Sequence, residues 1–213
     1  IVLSQSEDCI VVVSAFSGVT DQLYAMAHMA ATKSSEVYEA ELNALCDRHY
    51  EMAECLVPDS KLAVLKRELK EQFTDLSNIL RGVFLIKDAS EKIIDTIVSY
   101  GEHCSSLIVA AAIEGAVHYD ARDFMRTQWH YGKHIVDFEQ TNALIKQHLA
   151  SSQPHLAVVG GFISKDKSSI SFKSFSFFLE ISFISSDFFF CSNSFLFSSS
   201  KSLFFRLFLS ISN

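Results

Sequence analysis

The sequence has no CxxC pair, no excess of basic charge, no glycine-rich GxGxxG turn and no apolar run long enough to cross a bilayer. Each absence excludes something. The five cysteines (Cys9, Cys46, Cys55, Cys104 and Cys191) show no metal-ligand spacing. With no signal peptide either, they read as reduced thiols of a cytoplasmic protein. Cys9 and Cys104 stand in apolar surroundings and read as small core residues. A formal net charge of −7 excludes a general binder of nucleic acid or of anionic membranes. A membrane helix needs about 20 apolar residues. Glu180, Asp187, Lys201 and Arg206 interrupt every candidate span in the phenylalanine-rich C-terminal part. There is no initiator methionine, and Ile1-Val2-Leu3 reads as the end of a helix already under way, so the chain reads as a fragment. Its 213 residues suffice for one good-sized domain or part of a larger enzyme.

The most informative stretch present is Cys9 to Thr20. Ile10-Val11-Val12-Val13 is an unbroken β-branched run, too short for a helix and suited to a strand buried on both faces. Ser14 to Thr20 is a polar turn with one glycine, and Asp21 opens a helical pattern. This order puts Ser14, Ser17 and Thr20 at the carboxyl end of a parallel strand, where open α/β sheets bind ligands. A helix start there also offers N–H groups to an anion. The plainer alternative is that Thr20 caps the helix and Ser14 merely ends the strand.

Helical periodicity then runs from Asp21 to about Leu56, with Leu42, Leu45, His49, Met52 and Leu56 as a core-facing stripe. His49 on that stripe reads as a packing histidine. Pro58-Asp59-Ser60 breaks the pattern, and Asp59 or Ser60 is a candidate cap. Leu62, Leu65, Leu69, Phe73, Leu76 and Leu80 form a second stripe, with Lys66 to Glu71 as its solvated face. Gly82 fits a helix end. Capping residues at Asp88 to Glu91 precede Ile93, Ile94 and Ile97. Another helix follows Glu102 and is ended by Gly115. Ala116–Tyr119 reads as a short strand, Arg126 to Lys133 as a polar loop around Trp129, Phe138 to Leu149 as helix and His155 to Val159 as a second buried strand. Gly160-Gly161 then permits a tight turn or a close backbone approach to a ligand. His130 and His134 are four apart, but Gly132 between them argues against a helical metal pair, and no metal site is expected. The alternation of strands and helices predicts an α/β domain with a mainly parallel sheet and helices on both faces.

Three blocks carry a resemblance: Val11-Val12-Val13-Ser14-Ala15-Phe16-Ser17-Gly18-Val19-Thr20-Asp21-Gln22-Leu23, then Ile97-Val98-Ser99-Tyr100-Gly101-Glu102, then Asp120-Ala121-Arg122-Asp123 through Asp137-Phe138, closing at Val159-Gly160-Gly161-Phe162-Ile163. In order and rough spacing they resemble the aspartate kinases of the amino-acid kinase superfamily, over roughly residues 1–165. The resemblance implies a three-layer αβα sandwich, incomplete at both ends. It implies transfer of the γ-phosphoryl group of ATP, with Mg2+, to the side-chain carboxylate of L-aspartate. That gives 4-phospho-L-aspartate, toward lysine, threonine and methionine. It places Ser14, Thr20 and Glu102 at the aspartate substrate, Glu102 accepting from the α-ammonium, with Ser17, Gly18, Gly160 and Gly161 lining the site. A homo-oligomer is possible in the intact enzyme. The family's Lys-Phe-Gly-Gly segment would precede Ile1, and its Arg-Gly-Gly-Ser-Asp-like turn would follow Lys165. No catalytic residue can therefore be assigned in this chain. None of Lys33, Lys87 and Lys133, all in places expected to be solvated, can be picked as a substitute. Arg48 to Met52 and the long helical insert are reminiscent of bifunctional aspartokinase–homoserine dehydrogenases. A Rossmann-type GxGxxG further along the full gene would decide that reading. The alternative from another class is a non-catalytic remnant, amino-acid-binding or structural.

After Lys165 the composition changes. From Ser168 to Asn213 serine and phenylalanine dominate, and glycine, proline, alanine and valine vanish. Partial alternation gives this stretch strand tendency, and Phe188-Phe189-Phe190-Cys191 is aggregation-prone if exposed. Residues 166–213 are read as a non-family, poorly structured tail that fits a shifted or wrong-strand reading frame.

Overall fold

The computed structural model describes residues 9–130, 133–149, 154–161, 163–166, 170–172 and 204–207. The β-branched run becomes β1 (Cys9–Val13), followed by α1 (Val19–Thr32), α2 (Ser35–Leu56), α3 (Asp59–Ile86) and α4 (Glu91–Ala112). Then come β2 (Ala116–Tyr119), α5 (Ala121–Phe124), β3 (Arg126–His130), β4 (Lys133–Val136), α6 (Phe138–Leu149), β5 (Leu156–Gly160), β6 (Ile163–Asp166), β7 (Ile170–Phe172) and β8 (Phe204–Leu207). The first sheet has the order β2-β5-β1-β8. Its β2, β5 and β1 are parallel, with Val13 opposite Gly160 and Tyr119 opposite Val159, while β8 is antiparallel to β1. The second sheet, β4-β3-β6-β7, is mixed. This is the predicted α/β class with a parallel sheet, though weighted toward helix.

Parallel pairing puts three chain exits at one end of the first sheet: Ser14 after β1, Asp120 after β2 and Gly161 after β5. Crossovers between parallel strands require this arrangement, because each strand must be followed by a connection that returns to the opposite end. Helix α4 lies between the sheet and the helical layer of α1, α2 and α3. Every residue from Ile97 to Ser106 is accordingly buried, on all faces of the helix. A helix apolar on one stripe only could not sit there.

The two long helices bury the stripes expected of them. Helix α3 buries Leu65, Leu69, Phe73, Leu76 and Leu80. Helix α2 buries Leu42, Leu45 and His49, but then Ala53, while Leu56 stays 47% exposed. The stripe continues by a four-residue step where a three-residue step was expected.

Five local expectations are corrected. Helix does not run unbroken from Asp21 to Leu56. It stops at Thr32, and extended Ser34 (φ −74°, ψ 160°) stands before α2. Neither Asp59 nor Ser60 caps α3: Pro58 precedes it, with its fixed φ suited to a helix start. Gly82 lies inside α3, which ends at Lys87 in a left-handed conformation (φ 59°), its N–H on the Val83 carbonyl at 2.8 Å. The helix expected after Glu102 begins eleven residues earlier, at Glu91, so Glu102 is mid-helix. Within the expected loop of Arg126 to Lys133, Arg126–His130 is strand β3 and Lys133 opens β4, with Trp129 opposite His134, while residues 131–132 lie outside the described residues. Alternation in Arg126-Thr127-Gln128-Trp129 was hidden by its polarity, and backbone pairing with β4 decides the matter.

Strands β7 and β8 fall inside the tail that composition set apart at residue 166, in keeping with its strand tendency. The segment Phe188-Phe189-Phe190-Cys191 lies outside the described residues, as does the side chain of Cys9. Cys104 is 1% exposed, a core residue as expected.

Candidate functional site

The site is built where β1 ends. Ser14 is half-buried, and the chain then turns through Ala15, Phe16, Ser17 and Gly18. Gly18 precedes α1 in a left-handed conformation, φ 77° and ψ −6°. Residues with a side chain adopt this only at a cost. Gly18, not Thr20, therefore holds the cap position, and Thr20 sits in the first turn of the helix, half-buried. The capping alternative for Thr20 is set aside. The turn is closed by Val19 N–H on the Phe16 carbonyl at 3.0 Å. Ser17 and Gly18 themselves are exposed.

Helix α4 meets this turn at the second sequence block. A Cβ on Gly101 would stand 3.0 Å from Ala15 Cβ and 3.2 Å from Val19 Cγ1, so only glycine lets the helix and the turn approach this closely. Glu102 follows at 1% exposure. Burial raises its carboxyl pKa to about 7, outweighing the lowering by its own backbone N–H and that of Ala15. Its Oε2 has no hydrogen-bond partner. The Ser105 hydroxyl binds the turn to the helix, lying 2.8 Å from the Ser14 carbonyl and 3.0 Å from the Glu102 carbonyl. At the end of β5, a Cβ on Gly160 would come within 3.2 Å of the Glu102 carbonyl oxygen. Gly161 N–H donates to the Val13 carbonyl at 2.7 Å. The structure thus brings Ser14, Glu102, Gly160 and Gly161 together, with Ser17, Gly18 and Thr20 along the turn leading away.

A second polar cluster begins one residue on. Arg122 Nε lies 2.8 Å from both carboxylate oxygens of Asp120, and Arg122 Nη2 donates to Nδ1 of buried His103 at 3.2 Å. His103 therefore accepts at Nδ1 and is neutral, its pKa lowered to about 4 by burial first and by Arg122 second. The 3.6 Å approach of His103 Nδ1 to Asp120 Oδ2 is not an ion pair in that state. Ser106 Oγ lies 2.8 Å from the His103 carbonyl and 2.9 Å from His118 Nε2. A hydroxyl has one proton to give. With it on the carbonyl, the oxygen accepts from Nε2–H of His118, which assigns that tautomer. Sequence reasoning missed Ser105 and this cluster. A signal was present, since Glu102-His103-Cys104-Ser105-Ser106 is strongly polar for a helix packed on all sides.

His49 is 1% exposed, with Nδ1 2.8 Å from the Leu45 carbonyl and its ring between Phe16 and Phe73. It is the packing histidine expected. Lys33 and Lys87 are exposed as expected, Lys87 Nζ lying 3.2 Å from the Lys33 carbonyl and 3.7 Å from the centre of the Phe84 ring. The side chains of His130, Lys133 and His134 lie outside the described residues. Among the described residues no three His, Cys, Asp or Glu side chains are grouped to hold a metal, and no helix is long and apolar enough to cross a membrane. Cys46, Cys55 and Cys104 are free thiols.

No protein-family model matches the chain. It is 25% identical over 175 residues to the chloroplastic bifunctional aspartokinase/homoserine dehydrogenase 1 of Arabidopsis thaliana, covering 80% of this chain and 19% of that protein. To the corresponding Zea mays protein it is 32% identical over 109 residues, 51% of this chain and 12% of that one. The chain thus spans about a fifth or less of the length of these curated relatives. Its fold matches E. coli aspartokinase III, solved with lysine and aspartate, at TM-score 0.71 and 23% identity, covering 82% of this chain and 39% of that chain. The same enzyme solved with aspartate and ADP matches at TM-score 0.70 and 23% identity, covering 80% and 38%. The likeness to the aspartokinases, read first from three sequence blocks, therefore holds both in sequence relatives and in fold.

Proposed function

We propose that this chain forms the amino-acid side of an aspartate kinase. The observation that carries this reading is Glu102, a carboxylate buried at the carboxyl end of the parallel strands with one oxygen lacking any partner. A buried acceptor left unsatisfied costs about 1–3 kcal/mol, and a ligand ammonium would remove that cost. L-Aspartate would place its α-ammonium on Glu102, beside Ser14 and the turn to Thr20. Its side-chain carboxylate would stay free to attack the γ-phosphorus of ATP, forming the new O–P bond as ADP leaves. Mg2+ in such reactions is held largely through the phosphates. No residue of this chain is assigned to ATP or to the metal. The parent enzyme would be of the bifunctional type, in line with its plant relatives. Those relatives are named as chloroplastic, so the cytoplasmic reading stands as a proposal to be checked by localising the full-length protein.

Calorimetric titration of the chain with L-aspartate tests the binding half. Glu102→Gln should weaken binding about thirtyfold or more, since removing one partner of a desolvated charge pair costs on the order of 2–5 kcal/mol. Equal affinity in the two proteins would end the assignment. ADP formation dependent on both ATP and aspartate separates a working kinase from a non-catalytic amino-acid-binding remnant. The remnant reading is favoured by one observation: residues 166–213 contain no glycine at all, hence no Arg-Gly-Gly-Ser-Asp-like turn.

A further inference from the structure

Arg48 and His49 adjoin one another on α2, and both reach the turn. Arg48 Nη2 donates to the Ser17 carbonyl at 2.8 Å. The His49 ring packs on the Phe16 ring with centroids 5.5 Å apart. The two contacts differ in kind: His49 is core, whereas Arg48 holds a single exposed carbonyl 31 residues away in the chain. That carbonyl belongs to the peptide joining Ser17 to Gly18. A trans peptide is planar, so its C=O and N–H point in opposite directions. With the carbonyl turned toward α2, the Gly18 N–H is turned away from it. Gly18 is also the residue that could most readily let this peptide flip, because glycine populates both signs of φ. A charge-assisted bond to the carbonyl opposes the flip.

We infer that Arg48 is a positioning residue that locks the Ser17–Gly18 peptide, and through it the shape of the turn from Ser14 to Thr20. This rests on the reading of that turn as part of the aspartate site. It gives the long helical insert a role at the site: α2 carries the brace for a turn that β1 and α1 alone leave free to flip.

The test uses the whole chain and two readouts. NMR relaxation dispersion and chemical shift follow the Gly18 amide, which belongs to the peptide that would flip. The present turn, with Gly18 at φ 77° and ψ −6° and Val19 N–H on the Phe16 carbonyl, keeps that closing bond when the peptide between Ser17 and Gly18 flips, so Gly18 and not Val19 reports it. In Arg48→Met the population of the flipped peptide should rise about tenfold, toward the low end for loss of one hydrogen bond to a charged group, seen as exchange broadening or a shifted Gly18 amide. The Val57 amide, which ends α2 on the Ala53 carbonyl, should stay as in the parent. Calorimetry should show L-aspartate binding weakened by a similar factor, and millimolar guanidinium added to Arg48→Ala should restore part of it. Arg48→Lys should fall between parent and Met. An unchanged Gly18 amide, or an equal change at Val57, overturns the inference. The NMR arm needs no ligand. Failure of the parent to bind L-aspartate would therefore remove the proposed function and leave the brace to stand or fall on Gly18.

Discussion

Glu102 and His103 are neighbours on one helix and almost equally buried, at 1% and 6% exposure, yet their surroundings differ in kind. His103 lies in a closed network: Arg122 donates to it, Asp120 holds Arg122, and its carbonyl takes the Ser106 hydroxyl. Glu102 faces the turn after β1 with one oxygen unpartnered. A folded chain seldom leaves a buried carboxylate half-satisfied, since the cost exceeds that of an apolar replacement. The completed network therefore reads as structure and the incomplete one as a site. The two residues also differ in how their charge depends on folding.

The largest expected effect is on stability against pH. The Glu102 carboxyl is raised by burial from 4.5 to about 7, so the folded chain keeps a proton that the unfolded chain has lost. Its contribution to stability falls as pH rises from about 4.5 to 7, and stays lost above that. His103 is lowered from 6.5 to about 4, chiefly by burial. Its contribution is present above about 6.5 and falls as pH drops toward 4. The two slopes oppose each other within one parent protein. Glu102→Gln deletes one of them. At pH 8 the variant should be more stable by on the order of 2–3 kcal/mol, the linkage equivalent of such a shift less the cost of a buried amide. Near pH 4, where the parent carboxyl is protonated folded and unfolded alike, the variant should be the less stable of the two by that amide cost. Urea unfolding across pH 4–8 measures this, and a constant difference at all pH values would sink it. The same substitution that should weaken L-aspartate binding should thus make the protein more stable near neutrality, a trade typical of functional sites.

Opening the closed network should give the reverse pattern. Arg122→Met leaves His103 without its donor at Nδ1 and leaves Asp120 only the backbone N–H of residue 122, 2.9 Å from its Oδ1. The expected loss is about 1.5–3 kcal/mol, the range for hydrogen bonds to charged groups, toward its low end because the Arg122 and Asp120 side chains remain 18% and 21% exposed. Arg122 lowers the His103 pKa and Asp120 raises it, so the His103 midpoint should climb from about 4. An NMR titration of the imidazole reads this directly. L-Aspartate affinity should change little. A strong loss of affinity with an unmoved His103 midpoint would reverse the roles given to the two clusters.

What sequence reading reached was local. The β-branched run of β1, the strand after Pro154, the bounds of α6 and the α3 stripe each follow from a pattern contained in a few turns of chain. What it missed depends on neighbours distant in sequence. The sequence pattern starts a helix after Glu102, whereas in the fold Glu102 is mid-helix and Gly101 beside it is where α4 presses on Ala15. The polarity around Trp129 suggests a loop, and only pairing with β4, opposite His134, makes it a strand. The candidate site was legible as Ser14, Glu102 and the paired glycines. Arg48 and Ser105 were not, since each acts through a backbone carbonyl, Ser17 and Ser14 respectively, and a carbonyl leaves no mark in sequence.

The smallest effect sharpens the comparison most, because it rests on another pair of neighbours. Ser105 and Ser106 are both buried, at 0% and 1% exposure, and each has a hydroxyl near the carbonyl three residues before it. They differ in the second contact: Ser105 reaches the Ser14 carbonyl, and Ser106 reaches His118. Serine to alanine removes one oxygen from each, so both variants should lose about 0.5–1.5 kcal/mol of stability, the usual value of a neutral hydrogen bond. Only Ser105→Ala unties the end of β1 from the helix that presents Glu102. It should therefore weaken L-aspartate binding by a few-fold, while Ser106→Ala leaves binding at the parental value. Measuring affinity and unfolding on the same two samples separates the effects, because matched losses of stability cancel in the comparison. If Ser106→Ala weakened binding as much as Ser105→Ala, the boundary between the closed network and the open site would not run between Glu102 and His103, and the unpartnered oxygen would have to be explained as a feature of packing alone.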